Sequence, residues 1–127
     1  MAYNANIREY CKAFLSAGDI SAEQYTFFKR GANDTVVQSG AGEAAVGVLW
    51  TTAAAAGRAV TVVCGGEPNV YVGTGGVTVG DEIAADADGN AVTAVSTDVV
   101  VGIARETAAA GELVRIDFLG EAQYTKA

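Results

Sequence analysis

Hydrophobic positions along the chain change period once, near residue 25. Before that point Ile7, Tyr10, Cys11, Phe14 and Leu15 recur at i, i+3, i+4, i+7 and i+8, the stripe of an amphipathic helix. Asn6 stands where an N-cap belongs, Glu9 three residues on completes a capping-box-like pair, and Gly18 suits a C-terminal stop. The pattern predicts a helix of about three turns over residues 6–15. Alone in water such a helix is marginal, so its stripe is expected to dock, on its own domain or on a neighbouring subunit.

From Tyr25 onward, short Val-rich runs alternate with Gly, Asp and Asn clusters roughly every ten residues. Strands are predicted at 25–29, 35–37, 45–50, 60–64, 70–72, 82–84, 91–95, 99–105 and 113–119, the signature of an all-β sandwich or barrel. Asp88-Gly89-Asn90 reads as a tight hairpin turn, since Asp and Gly tolerate positive φ. The alanine runs at 53–56 and 108–110 each end at a glycine and are too short for more than a loop or one helical turn.

Within this β region one pattern occurs twice. Val46-Gly47-Val48-Leu49, an alanine-rich turn ending at Gly57 and Val60-Thr61-Val62 have a counterpart. It is Val101-Gly102-Ile103-Ala104, a similar turn ending at Gly111 and Val114-Arg115-Ile116. Each copy is strand, small-residue turn, strand. Two copies suggest two related halves closing one barrel rather than a solenoid, which needs three or more. Gly47 and Gly102, inside predicted strands, are expected to mark bulges or bends that curve the sheet.

Composition narrows the function. At 127 residues the chain makes one domain with room for a short arm, and it is long enough to bury a core without metals or disulfides. It has no histidine, which removes serine–histidine and cysteine–histidine catalysis, histidine metal sites and a histidine pH switch. A formal net charge of −7 and a pI near 4.3 argue against a nucleic-acid-binding face. Six acids from Glu67 to Asp98 have no lysine or arginine among them, the mark of a solvated acidic face. Cys11 and Cys64 form no CxxC, and their default reading is small buried apolar residues. No apolar stretch is long enough to span a membrane, and no secretory h-region follows Arg8 and Lys12, so manufacture in a reducing cytoplasm is expected.

Candidate motifs fail in context. Gly40-Ala41-Gly42-Glu43-Ala44-Ala45 fits a loose dinucleotide pattern, but a strand follows it instead of a helix. Gly73-Thr74-Gly75-Gly76 lacks the Gly-Lys-Ser/Thr of a phosphate loop. Counted from Asp86, an EF-hand would need Gly and Glu where Ala91 and Thr97 stand. No two of the 15 acids stand out as a glycosidase pair, and Trp50 suits a core or an interface anchor. The expectation is a protein that is not an enzyme and holds no cofactor or metal.

Several stretches resemble the bacteriophage capsid decoration (head cement) proteins. They are Ala45-Val46-Gly47-Val48-Leu49 with Gly57-Arg58-Ala59-Val60-Thr61-Val62, Gly80-Asp81-Glu82-Ile83-Ala84-Ala85-Asp86, and Val101-Gly102-Ile103-Ala104-Arg105-Glu106-Thr107. The resemblance covers about residues 24–119. It implies a small β-barrel or β-sandwich, β-tulip-like, that sits as a homotrimer on the outside of a tailed-phage head and cements adjacent major capsid protein subunits. It implies residues 1–22 as an N-terminal arm with a short helix and 23–127 as the barrel domain. Members often run such an arm onto the shell. Ile7, Tyr10, Phe14 and Leu15, with Arg8 and Lys12, are therefore expected to face the capsid or a neighbouring protomer, and deletion of residues 1–18 is expected to leave the domain folded. Arg8, Lys12, Lys29 and Arg30 are half of the eight basic residues, which suits an acidic shell surface. The alternative is a carbohydrate-binding or host-attachment module of a phage fibre, which exposed aromatics such as Trp50 and Tyr71 on one face would favour.

Overall fold

A computed structural model describes residues 11–127, and these are built from β-strands, with one 3₁₀ turn at Gly120–Ala122. The strands are β1 (Cys11–Ser16), β2 (Phe27–Arg30), β3 (Thr35–Gln38), β4 (Gly47–Leu49), β5 (Ala59–Val63), β6 (Asn69–Tyr71), β7 (Glu82–Ala85), β8 (Ala91–Thr93), β9 (Val99–Val100), β10 (Gly102–Ala104), β11 (Leu113–Phe118) and β12 (Tyr124–Thr125). All nine predicted strands are present. The predicted 99–105 run is broken at Val101 into β9 and β10, which belong to different sheets.

The predicted helix is a correction. Its described part, from Cys11 on, is strand β1, which pairs antiparallel with β5 from Cys11–Val63 to Leu15–Ala59 and parallel with β3 at Leu15–Thr35 and Ser16–Val36. These ladders supply the backbone hydrogen bonds that an isolated three-turn helix would have to supply itself. The burial alternates with period two: Phe14 and Ser16 point inward, while Ala13 and Leu15 point out. Residues 11–16 are thus a wall of the barrel, not an arm, and the predicted boundary between 22 and 23 falls after the first barrel strand.

The strands form two five-stranded units. The first is a closed barrel in the order β1-β3-β2-β4-β5, filled by Phe14, Ile20, Phe28, Val36, Leu49, Val60 and Val62. The second is a sheet in the order β6-β11-β10-β7-β8. A parallel bridge between Val72 and Ala91, with the Gly73 N–H donating to the Ala91 carbonyl at 2.8 Å, draws its two edges together. Inside lie Val70, Ile83, Ala91, Ala104, Val114 and Ile116, joined by Phe27 and Val48 from the outer face of the first barrel. Phe27 stacks on Phe118 at a centroid distance of 6.5 Å. β2 and β4 are therefore apolar on both faces: Phe28 and Leu49 fill the first unit while Phe27 and Val48 fill the second.

The two units are one design used twice. β1, β2, β3, β4 and β5 correspond to β6, β7, β8, β10 and β11, and every pairing recurs with the same sense, including the parallel contact between the first and third strands. The registers agree as well. Leu49 opposite Val62 matches Ala104 opposite Ile116, and Phe28 opposite Gly47 matches Ile83 opposite Gly102. Even loop hydrogen bonds repeat: Ile20 N–H to Ala53 carbonyl and Val77 N–H to Ala108 carbonyl are both 2.9 Å. The sequence repeat is thus the visible part of a duplication of a whole five-stranded unit. The expectation that its two copies close a single barrel is corrected, because each copy builds its own unit.

Candidate interaction surfaces

Strand alternation separates the predicted interface residues. Ile7, Arg8 and Tyr10 lie outside the described residues. Phe14 is turned into the barrel, 6% exposed, with the Arg30 guanidinium over its ring at 5.1 Å. Leu15 faces solvent at 40% exposure, and Lys12 is exposed at the end of the barrel where β1 begins. The described members of the set do not share one apolar face.

Two features emerge instead. The first is an aromatic pair, Tyr25 and Tyr71, where the units meet, with Trp50 exposed just after β4. Trp50 is 46% exposed and Tyr71 40%. Between them lies Tyr25, whose N–H donates to the Leu49 carbonyl at 2.8 Å and whose carbonyl accepts the Tyr71 N–H at 2.9 Å. The Tyr25 and Tyr71 rings meet edge to face at 5.9 Å, Leu113 pairs with Tyr71 across the strands, and Gln24 Nε2 donates to the Trp50 carbonyl at 2.7 Å. Tyr25 holds a left-handed backbone, φ 62°, where its counterpart in the second unit is Gly80 at φ 87°. A tyrosine at a position that suits glycine is strained, and strain of this kind persists where the surrounding structure holds it, here through the backbone bonds to Leu49 and Tyr71.

The second is a cleft of about 680 Å³ at the end of the first barrel, where β1 and β4 begin and β2 and β5 finish. Lys12, Lys29 and Arg30 line it together with Val46, Cys64 and Glu121. Sequence proximity to the N-terminus had signalled this basic group, but the cleft itself depends on the β1–β5 pairing. Lys29 Nζ donates to Glu43 at 2.7 Å, and that contact, with the Gly40 N–H, holds the Glu43 carboxyl below the ordinary glutamate range. Among the described residues Lys12 and Arg30 make no ion pair. Cys11 and Cys64 are half-buried thiols, and burial pushes both pKa values up, so neither is an activated nucleophile.

Most other charges are tied up on the exterior. Arg105 reaches Asp117 at 3.0 Å and Glu67 at 3.4 Å, and Arg115 reaches Glu67 at 3.7 Å. Such exposed pairs contribute little to stability each. Asp86 is committed to its turn, its Oδ1 accepting the N–H groups of Asp88 and Asn90 at 2.8 and 2.9 Å around Gly89 at φ 74°. Among the described residues no three acids or cysteines converge to hold a metal ion, and no helix is long and apolar enough to cross a membrane.

The fold defined here is a duplicated, all-β, two-unit architecture beginning with a closed barrel. A crystal structure of the head fiber gp8.5 N base in bacteriophage phi29 shares it. The two align with a TM-score of 0.70 at 20% sequence identity, covering 85% of this chain and 93% of that one. At that identity the likeness is one of fold. No protein-family model matches the chain, and no curated protein matches it in sequence.

Proposed function

We propose that the chain is a structural protein of a bacteriophage virion. It sits on the outer surface of the head, assembles as a trimer and cements adjacent major capsid subunits. The observation that carries the reading is the shared fold with the phi29 head fiber base, in which nearly all of that base is matched. The decoration-protein resemblance over residues 24–119 supports it from the sequence side. An acidic exterior suits a protein that faces solvent and avoids packaged DNA. Binding strength in this role comes from linkage: three modest contacts in one trimer exceed a single contact by about 10²–10⁴-fold.

The test is reconstitution. Heads assembled without the protein are mixed with the purified chain and imaged, and their resistance to heat and osmotic shock is compared with that of bare heads. Density on the outer surface at local three-fold sites, with improved resistance, is expected. Heads that fail to bind the chain overturn the reading.

A second reading, a carbohydrate-binding or host-attachment module, draws support from the exposed Trp50 and Tyr71 and the edge-to-face Tyr25–Tyr71 pair. Aromatic faces of this kind stack on sugar rings as readily as they seal a protein seam. Glycan binding that is lost in Trp50→Ala favours this reading, whereas loss of trimer in the same variant favours the first.

A further inference from the structure

The duplication gives the basic cleft an internal control. Its counterpart end in the second unit is defined by register: Lys12 opposite Val62 corresponds to Pro68 beside Ile116, and Lys29 and Arg30 correspond to Ala84 and Ala85. All three counterparts are buried. That end is also covered by the chain itself: β12 pairs with β9 at Tyr124–Val100 and Thr125–Val99, over a layer of Ala84, Ala94, Val100 and Leu119. The segment equivalent to β9 in the first unit, Ala44-Ala45, lines the open cleft. The same end of the same barrel is thus closed by an extended segment in one unit. In the other, among the described residues, no strand pairs there: the Gln123 side-chain amide takes the N–H and the carbonyl of Ala45, and Lys12, Lys29 and Arg30 line the cleft beside it.

The barrel does not require those cations, since its sister unit folds with proline and alanines in their places. Three of the eight basic residues of a chain of net charge −7 nevertheless line this cleft of about 680 Å³. Glu43 offsets Lys29, and Glu121 stands on the rim, which among the described residues leaves Lys12 and Arg30 as the cations without an ion pair. Arg30 is held in place over the Phe14 ring, so it is oriented before anything binds.

We propose that this cleft at the end of the first barrel receives an extended acidic segment of a shell protein, at the end equivalent to the one β12 covers in the second unit, its carboxylates on Lys12 and Arg30. The extended form is argued from the sister unit and the acidity from charge complementarity. The assignment to the shell rests on the virion reading above. Charge-assisted hydrogen bonds in such a site are salt-sensitive and set the register of the bound segment.

The experiment uses the intact chain. A fluorescent peptide of about ten residues alternating Glu and Val, and its Lys–Val counterpart, are titrated by anisotropy. Binding of the acidic peptide alone is expected, weakened about tenfold by Lys12→Glu or Arg30→Glu and by added salt. Arg58→Glu, the same charge change at the opposite end of the barrel, is expected to leave binding unchanged. Lys12 is exposed, so its variant keeps the fold even where Arg30→Glu loses the Phe14 contact. Equal losses in Lys12→Glu and Arg58→Glu overturn the site, as does a single-stranded oligonucleotide binding there in preference to the peptide. Reconstituted heads separate the two ideas. Heads that bind wild type and Lys12→Glu equally well overturn the cleft and leave the virion reading standing. Peptide bound in the cleft with no binding to heads overturns the virion reading and leaves the acidic-segment site standing.

Discussion

Gly47 and Gly102 face the same obstacle in the two units: the backbone of the strand paired beside them. A Cβ on Gly47 would lie 2.3 Å from the Val63 carbonyl oxygen, and one on Gly102 would lie 2.9 Å from that of Asp117. Neither has a positive φ, so close approach of the partner strand, not backbone conformation, is what excludes a side chain.

The two approaches are unequal, and so are the expected costs. At Gly47 the nearest atom is the rigid Val63 carbonyl oxygen, with Val62 Cγ1 at 2.5 Å, whereas at Gly102 the first contact is the Ile116 Cδ1 at 2.8 Å, the end of a side chain that can turn. Gly47→Ala is expected to cost about 3 kcal/mol and Gly102→Ala about 1 kcal/mol, within the range of overpacking. Urea denaturation of both variants measures the difference. Equal, negligible losses would show that the strands part freely.

The strands were legible because Val-rich runs and Gly or Asp turns are local signals, and the β4–β5 and β10–β11 repeat was legible because both copies kept their glycine and alanine spacing. The rest of the duplication was hidden. Phe14 matches Val70, Phe28 matches Ile83 and Arg30 matches Ala85, pairs that share a place in the register but no side-chain likeness. β1 was misread because Ile7, Tyr10, Cys11, Phe14 and Leu15 satisfy a helical period, while the ladder to β5, about fifty residues away, decides the outcome. Of the candidate surfaces, the basic residues were visible as a group, but the cleft required that same ladder.

Phe14 is the residue on which the role of β1 can be measured. It lies inside the first barrel against Val36, Val60 and Val62, so Phe14→Ala is expected to cost about 3–5 kcal/mol by loss of buried volume. Deletion of residues 1–18 removes a strand from a closed barrel and is expected to unfold the first unit. Circular dichroism and thermal melting report both. A truncated chain that melts like the intact one would return residues 11–18 to the role of an arm.

Tyr25 offers a separation of folding from function. In Tyr25→Gly the left-handed backbone is relieved by about 1 kcal/mol while the edge-to-face contact with Tyr71, worth a similar amount, is lost. The expected net change in stability is within about 1 kcal/mol. Self-association or ligand binding through the Trp50–Tyr71 surface is expected to fall measurably. Analytical ultracentrifugation beside a urea melt decides it, and a variant that loses stability but keeps association would mark Tyr25 as a packing residue only.

The C-terminal strand is tied down by one carboxylate. Glu82 on β7 accepts hydrogen bonds from Tyr124 and Lys126, which flank Thr125 on β12. The Lys126 ammonium first, and the Tyr124 hydroxyl second, hold the Glu82 carboxyl below the ordinary glutamate range, and Glu82 in turn raises the Tyr124 phenol. A depressed carboxyl contributes stability that is complete above its unfolded pKa and is lost as pH falls through the lower folded value. A raised phenol contributes stability that is complete below its unfolded pKa and is lost as pH rises through the higher folded value. The β9–β12 pairing is therefore expected to hold on a plateau between these limits and to open at both ends, on the acid side only below the ordinary glutamate range. Amide exchange at Thr125 across the pH series, corrected for intrinsic exchange, measures the opening. Glu82→Gln removes the titrating group, so its acid limb should be flat; an acid limb unchanged from wild type would assign the opening to another carboxylate.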